Sequence, residues 1–269
     1  MAPLTLVVTD LDGSLWDNSL VCHRDVRSAV IEVQGRDDVV LLAATGRRRN
    51  SARLAFGLND IVMPAVLLNG ATGYDFTREE IFHTVSWQPA DLAHVLEVLA
   101  SFQVGPVAYL VDGRAMVVED VTTSVKHLDS LGDDLVWVTL DELSTRDDVM
   151  GLSMLGVEHG EVSGPLEALR DDPIAEVAGY GDHLYPPFSF MVAPPGITKV
   201  AGIKAYLDAR ELVPDRVIAV GDGGNDLAML EWAHTAIAVE TGVAEAKALA
   251  DVIIPGPADR GWAEVLALI

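Results

Sequence analysis

The 269-residue chain is 50% hydrophobic and 22% charged, a composition that excludes a disordered segment and supplies the core of one large domain or two modest ones. Its 41 acidic and 18 basic residues give a net charge of −23, which repels nucleic acid and anionic membranes, so neither is an expected partner. A single cysteine, Cys22, excludes an internal disulfide framework and a multi-cysteine zinc site.

Cys22 reads as a small, semi-buried residue in a reducing compartment. The N-terminus has no basic stretch followed by a long apolar region, and "LTLVV", residues 4–8, is too short for the core of a signal peptide. No apolar run approaches the roughly 20 residues that span a bilayer. The expectation is a cytoplasmic protein.

"LTLVV" is short, apolar and β-branched, the pattern of a buried strand. "HRDVRSAVIEVQG" has helical periodicity and stops at Gly35. "VVLLAA", 39–44, is a second strand, "RRNSARLAFGL" a helix, and "AVLLNG", 65–70, a third strand. Continuous apolar strands alternating with helices predict a parallel sheet covered on both faces. From about 86 to 188 the strand candidates "PVAYLVDG", "AMVVED", "LVWVTL" and "VMGLSMLG" are less uniformly apolar, which suits an α+β domain with an antiparallel sheet. Proline pairs at 186–187 and 194–195 mark the return to the core. There follow the helix "TKVAGIKAYLDAR", the strand "VIAV", a Gly-rich loop and the helix "NDLAMLEWA". The strands "AIAV" and "DVII" flank the helical "ETGVAEAKALA". The expected fold is α/β: a Rossmann-like parallel-sheet core of residues 1–85 and 189–269, with an α+β domain inserted at 86–188.

Asp10 and Asp12 stand at the end of the first strand with the period of a strand, so both project the same way while Leu11 points into the core. In open parallel sheets ligands sit beyond the carboxyl ends of strands. Two carboxylates about 4 Å apart repel by about 4 kcal/mol at a surface-like dielectric, and a shared proton or a divalent cation relieves that repulsion. "VIAVGDGGNDLAML" brings Asp222 and Asp226 to the same sheet edge. Convergent carboxylates without a cysteine or a histidine motif favour a hard cation, and Mg²⁺ fits best. Thr45 ends the second strand beside the small Gly46, and Lys199 starts a helix. A hydroxyl, a lysine and helix-terminal amides are the usual means of holding a phosphate.

"DLDGS", "ATGR", "GITK" and "GDGGND" resemble, in order and spacing, the four motifs of the haloacid dehalogenase (HAD) superfamily. "LLNGA" and "AVETGVAEAKALADVII" also resemble its Cof-type branch, where a large α/β cap (type II, subtype B) is inserted between the second and third motifs. The resemblance implies a phosphomonoester hydrolase acting on a small phosphorylated metabolite, such as a sugar phosphate; the expected assembly is a monomer or homodimer. It implies Asp10 as nucleophile, forming an aspartyl-phosphate, and Asp12 as general acid and then base. Thr45, Gly46, Arg47, Asn69, Lys199 and Asn225 would serve the substrate and its phosphoryl group. Asp10, the Asp12 backbone carbonyl and Asp222 would hold Mg²⁺, and Asp226 would bind the metal directly or orient its water. Ser14 stands where threonine is commoner, and Trp16 replaces a small or aliphatic residue, where it would narrow the entrance.

Alternatives stand beside this reading. A phosphohexomutase on the same fold also forms an aspartyl-phosphate. A signalling receiver also combines acids, Thr and Lys, but in another order and without an insertion. Arg48 and Arg49 read as a solvated basic face, and His234 and the methionines as structural. In the insertion Tyr109, His127, His183 and Tyr185 are within the range of residues that could reach a substrate, and none is assigned a role.

Overall fold

A computed structural model of the chain describes residues 3–182 and 184–269, so His183 lies outside the described residues. The first strand, β1 (Thr5–Thr9), shows why its sequence is apolar without alternation. Val7 packs into one cluster with Val26, Val30 and Val33, while Leu6 and Val8 pack into another with Ile203 and Tyr206. Both faces are covered, and each buried side chain of this kind contributes roughly 1.5–3 kcal/mol. Helix α1 (Arg24–Gln34) presents Val26, Ala29, Val30 and Val33 along one stripe; it starts at His23, whose side chain accepts from the Asp25 amide, and ends at Gly35.

The chain continues through β2 (Val39–Ala44), α2 (Arg49–Leu58), β3 (Pro64–Leu67), β4 (Thr72–Asp75) and β5 (Glu80–Thr84). The strand expected at 65–70 stops at Leu67, because Leu68 and Asn69 turn into left-handed backbone at φ 49° and 54°. Gly70 follows at φ 119°, where a Cβ would collide with the Thr198 carbonyl. Glycine there allows the turn to press against the start of a later helix.

The insertion contains α3 (Pro89–Ser101), β6 (Val107–Leu110), β7 (Ala115–Val117), α4 (Val125–Leu131), β8 (Leu135–Trp137), α5 (Leu140–Ser144), β9 (Val149–Val157), α6 (His159–Leu169), β10 (Glu176–Gly181) and β11 (Phe188–Ala193). Its sheet runs β10-β11-β9-β6-β7-β8 and is antiparallel except for the parallel β7–β8 pair. Leu92, Leu96 and Leu99 of α3 pack with Leu152, Met154 and Phe190 to give this unit its own apolar core.

The remaining elements are α7 (Lys199–Ala209), β12 (Arg216–Gly221), α8 (Leu227–Trp232), β13 (Thr235–Val239), α9 (Ala244–Leu249) and β14 (Val252–Ile254). The first sheet has the order β14-β13-β12-β1-β2-β3-β4-β5. It is parallel from β14 to β3, and β4 runs antiparallel to β3. Two compact units result, residues 1–83 with 198–269, and residues 84–197. The second junction thus falls at 197/198 and not at 188/189. Residues 188–193 form β11, which pairs on both sides with strands of the insertion. Among the described residues no helix is long and apolar enough to cross a membrane.

Candidate active site

Adjacent parallel strands carry their carboxyl ends to one edge, and β1 and β12 are such a pair. Asp10 follows β1, its amide still donating to the Val220 carbonyl at 2.8 Å. Asp222 follows β12, and Asp226 closes the Gly-rich turn: its Oδ2 accepts from the amides of Asp222 at 3.0 Å and Gly223 at 2.9 Å. One carboxylate oxygen from each of Asp10, Asp222 and Asp226 lies within 4.8 Å of the others. Lys199, the first residue of α7, is fixed there because Thr198 caps the helix, accepting from the Ala201 amide at 3.1 Å. Its Nζ donates to Asp10 Oδ1 and to Asp226 Oδ1, each at 2.6 Å. All four side chains are buried.

Burial sets the electrostatics. It raises the Asp10 carboxyl well above the usual carboxylate range; Lys199 opposes this, and the charges of Asp226, Asp222 and Asp12 add to it. Burial and the Asp226 charge likewise push Asp222 up to about 7, against the Ser14 hydroxyl and Lys199. Burial alone would lower the Lys199 ammonium, but Asp10 and Asp226 outweigh it and hold the group above its ordinary value. Three carboxylates against one ammonium leave an excess of negative charge on oxygen donors alone. That donor set fits Mg²⁺ and offers nothing to a soft metal.

The loop after β1 supports this cluster. Ser14 Oγ donates to Asp222 Oδ1 at 2.8 Å. Gly13, at φ 86°, lies so close that a Cβ would run into the Asp222 carboxylate. Trp262, from the C-terminal turn, donates to Thr9 Oγ1 at 2.9 Å, and Thr9 Oγ1 donates to the Asp10 carbonyl at 2.7 Å.

Asp12 does not join the three-carboxylate cluster through its side chain. Arg47 binds it in a fork, Nε to Oδ2 and Nη2 to Oδ1, both at 2.6 Å, and Arg47 Nη1 donates to Ser51 Oγ at 2.7 Å. Trp16, fully buried, donates from Nε1 to Asp12 Oδ1 at 3.0 Å. Its position corrects the entrance role expected for it: the loop folds back, with the Gly13 amide donating to the Trp16 carbonyl, and takes the indole into the core.

Thr45 is buried at the end of β2; its carbonyl accepts from the Asn69 amide at 3.0 Å, and its hydroxyl from the Arg47 amide at 3.2 Å. Gly46 lies in the bend that follows. Asn225 Nδ2 donates to Asn69 Oδ1 at 3.0 Å, which joins the 68–70 turn to the Gly-rich turn. Sequence reasoning gave Ser14 and Trp16 no partner. The available signal was a polar hydrogen on each, two and four residues after Asp12. Cys22 is buried, and burial pushes its thiol up to about 12, which suits an inert structural residue.

The profile of the haloacid dehalogenase-like hydrolase family matches residues 7–266. Phosphoglycolate phosphatase 2 of Saccharolobus solfataricus is 30% identical over 264 residues, covering 97% of this chain and 90% of that protein. A phosphoglycolate phosphatase of Natronomonas pharaonis is 29% identical over 155 residues, covering 58% of this chain and 61% of that protein. The chain spans less still, 11%, of an Arabidopsis thaliana protein that it matches over 62 residues. Among solved structures, the HAD subclass IIB sugar phosphatase BT4131 superposes with a TM-score of 0.76 at 20% identity, covering 98% of each chain. Core sheet and family profile agree: the chain belongs to the haloacid dehalogenase-like hydrolases, with a parallel-sheet core into which a second unit is inserted.

Proposed function

We propose that the protein is a Mg²⁺-dependent phosphatase of small phosphorylated metabolites that works through an aspartyl-phosphate. The observation that carries this reading is the buried constellation of Asp10, Asp222 and Asp226, in which Lys199 bridges Asp10 and Asp226. Relatives named for phosphoglycolate, pyridoxal phosphate and a ribitylaminouracil phosphate support the substrate class. The likeness to a sugar phosphatase supports a sugar phosphate as the first family of compounds to test.

Asp10, Asp222, Asp226 and the Asp12 backbone carbonyl would hold Mg²⁺, which when bound neutralises the phosphoryl dianion and the clustered carboxylates. Asp10 attacks phosphorus through a carboxylate oxygen. The bond from phosphorus to the leaving oxygen breaks, and Asp12 gives that oxygen its proton. Asp12, now a carboxylate, takes a proton from water as the water oxygen attacks the aspartyl-phosphate. The bond from phosphorus to the Asp10 oxygen breaks, which returns Asp10 and releases inorganic phosphate. Thr45, Gly46, Asn69, Asn225 and Lys199 bind and orient the phosphoryl oxygens. Arg47 acts on Asp12.

The test is phosphate release from a panel of phosphorylated metabolites, with Mg²⁺ and with EDTA, for wild type and Asp10→Asn. Metal-dependent release that disappears in the variant is the expected result. Folded protein that releases phosphate from no compound, or an Asp10→Asn variant that retains activity, overturns the proposal. Isomerised hexose phosphates in that case would identify a mutase.

A further inference from the structure

Asp12 has three donors for two oxygens. Oδ1 accepts from Trp16 Nε1 at 3.0 Å and from Arg47 Nη2 at 2.6 Å, whereas Oδ2 accepts from Arg47 Nε alone among these donors. The donors differ in how they are held. Arg47 reaches Asp12 on a long side chain from the turn after β2. Trp16 is completely buried, its ring lies edge-on to Phe56 with centroids 6.1 Å apart, and its amide donates to the Leu11 carbonyl at 3.1 Å. The Trp16 N–H is therefore anchored by the core and by the loop that carries Asp12 itself.

We propose that Trp16 is a positioning residue for proton transfer: its Nε1–H holds Asp12 Oδ1 as an acceptor and leaves Oδ2 to carry the proton to the leaving oxygen and from water. An oxygen that already accepts two N–H bonds is a poor site for a proton, because each donor would point at the lone pair that the proton needs. Oδ2 keeps a free direction. The indole also fixes the rotation of the carboxyl group, so that Oδ2 meets the reacting oxygen without a search. This inference rests on the proposed role of Asp12 as acid and base.

The experiment compares wild type with Trp16→Phe, which keeps a large apolar ring and loses the N–H. Two substrates are used in Mg²⁺: p-nitrophenyl phosphate, whose leaving group departs without a proton, and the alkyl phosphate that wild type hydrolyses best. The readout is kcat/KM, which covers the steps up to release of the alcohol or phenol and so isolates the first proton transfer. The expected result is a loss of about tenfold or more in kcat/KM on the alkyl phosphate, and a clearly smaller loss in kcat/KM on the aryl phosphate. Equal losses on both substrates, or none on either, overturn the inference. Should Trp16→Phe fail to fold, a benzothienylalanine at position 16 keeps the bicyclic shape, replaces the N–H by sulfur and is read by the same ratio. Inactive wild type would instead overturn the phosphatase reading, so the two failures are distinct.

Discussion

The two units bury polar groups in different ways. In residues 1–83 and 198–269, Asp10, Arg47, Asp75, Lys199, Asp222 and Asp226 are all buried. In residues 84–197, among the described residues, the buried side chains with polar groups include His127, Ser153, Ser189 and Tyr109, and none is an Asp, Glu, Lys or Arg. A buried charge costs several kcal/mol unless partners offset it, so a unit that keeps these six ionisable groups keeps them in pairs and clusters. The contrast separates a unit organised around charge from one organised as an apolar sheet-and-helix core with a few neutral hydrogen bonds.

The sharpest way to break the contrast is to remove its one central cation. Lys199→Met leaves Asp10 and Asp226 without their common donor. Activity is expected to fall by about 10³-fold or more, as on loss of a main electrostatic group. Stability at pH 8 is expected to fall by about 3–5 kcal/mol, the usual consequence of orphaning a buried charge. Steady-state kinetics and urea denaturation measure the two losses. A variant as stable as wild type would mean that the carboxylates are not held by this charge.

A second test uses pH. Asp10 and Asp222 have folded-state pKa values above those of free carboxylates, Asp222 at about 7. The native state then binds more protons than the unfolded chain between about pH 4 and pH 7, so stability contributed by these groups falls as pH rises through that window. Denaturation of EDTA-treated protein across that window should show the fall. Mg²⁺ should raise Tm more at pH 8 than at pH 5, because it binds the ionised forms. Equal increments at both values would count against the cluster as the metal site.

What the sequence disclosed follows the same division. The charged groups were legible because aspartates and lysine at strand and helix ends, beside glycines, have few purely structural uses. Their supports were not. Trp16 carries a donor inside an apolar side chain, and only the folded loop shows that it turns back under Asp12. The β4–β5 strands and the helix α3 were not singled out. The apolar "FSFMVA" reads equally as a core strand or a cap strand, and pairing with β9 and β10 decides for the latter. Pairing between distant segments leaves no local trace, which is why boundaries were harder to read than motifs.

Asp75 tests whether charge in the first unit is structural as well as chemical. Burial would raise it, but bonds from Thr77 and Arg210 outweigh burial and hold it below its ordinary value. Thr77 Oγ1 donates at 2.6 Å and Arg210 Nη2 at 2.7 Å. Asp75→Ala is expected to cost about 2 kcal/mol at pH 7. The sign is opposite to that of Asp222: a lowered carboxylate stabilises above its unfolded pKa, and that stability is lost as pH falls through its folded value. The difference between wild type and variant, followed by denaturation from pH 7 to pH 2, should therefore shrink toward low pH. A constant difference would assign the effect to packing.

The smallest expected effect lies in the insertion. His127 is buried with Tyr109 Oη 2.8 Å from Nε2 and Thr123 Oγ1 2.8 Å from Nδ1. Thr123 Oγ1 spends its hydrogen on the Leu155 carbonyl at 3.0 Å, so it accepts from His127, which places a hydrogen on Nδ1. The network is tied to β9 through the Leu155 carbonyl. Tyr109→Phe removes one of these bonds at constant shape and should cost about 1 kcal/mol, the net worth of a single neutral hydrogen bond. Because these bonds do not involve Asp10, Asp222 or Asp226, the rise in Tm produced by Mg²⁺ should equal that of wild type. A diminished metal response in Tyr109→Phe would show that the charge cluster and the insertion are energetically coupled, and the division between a charged unit and a neutral one would fail.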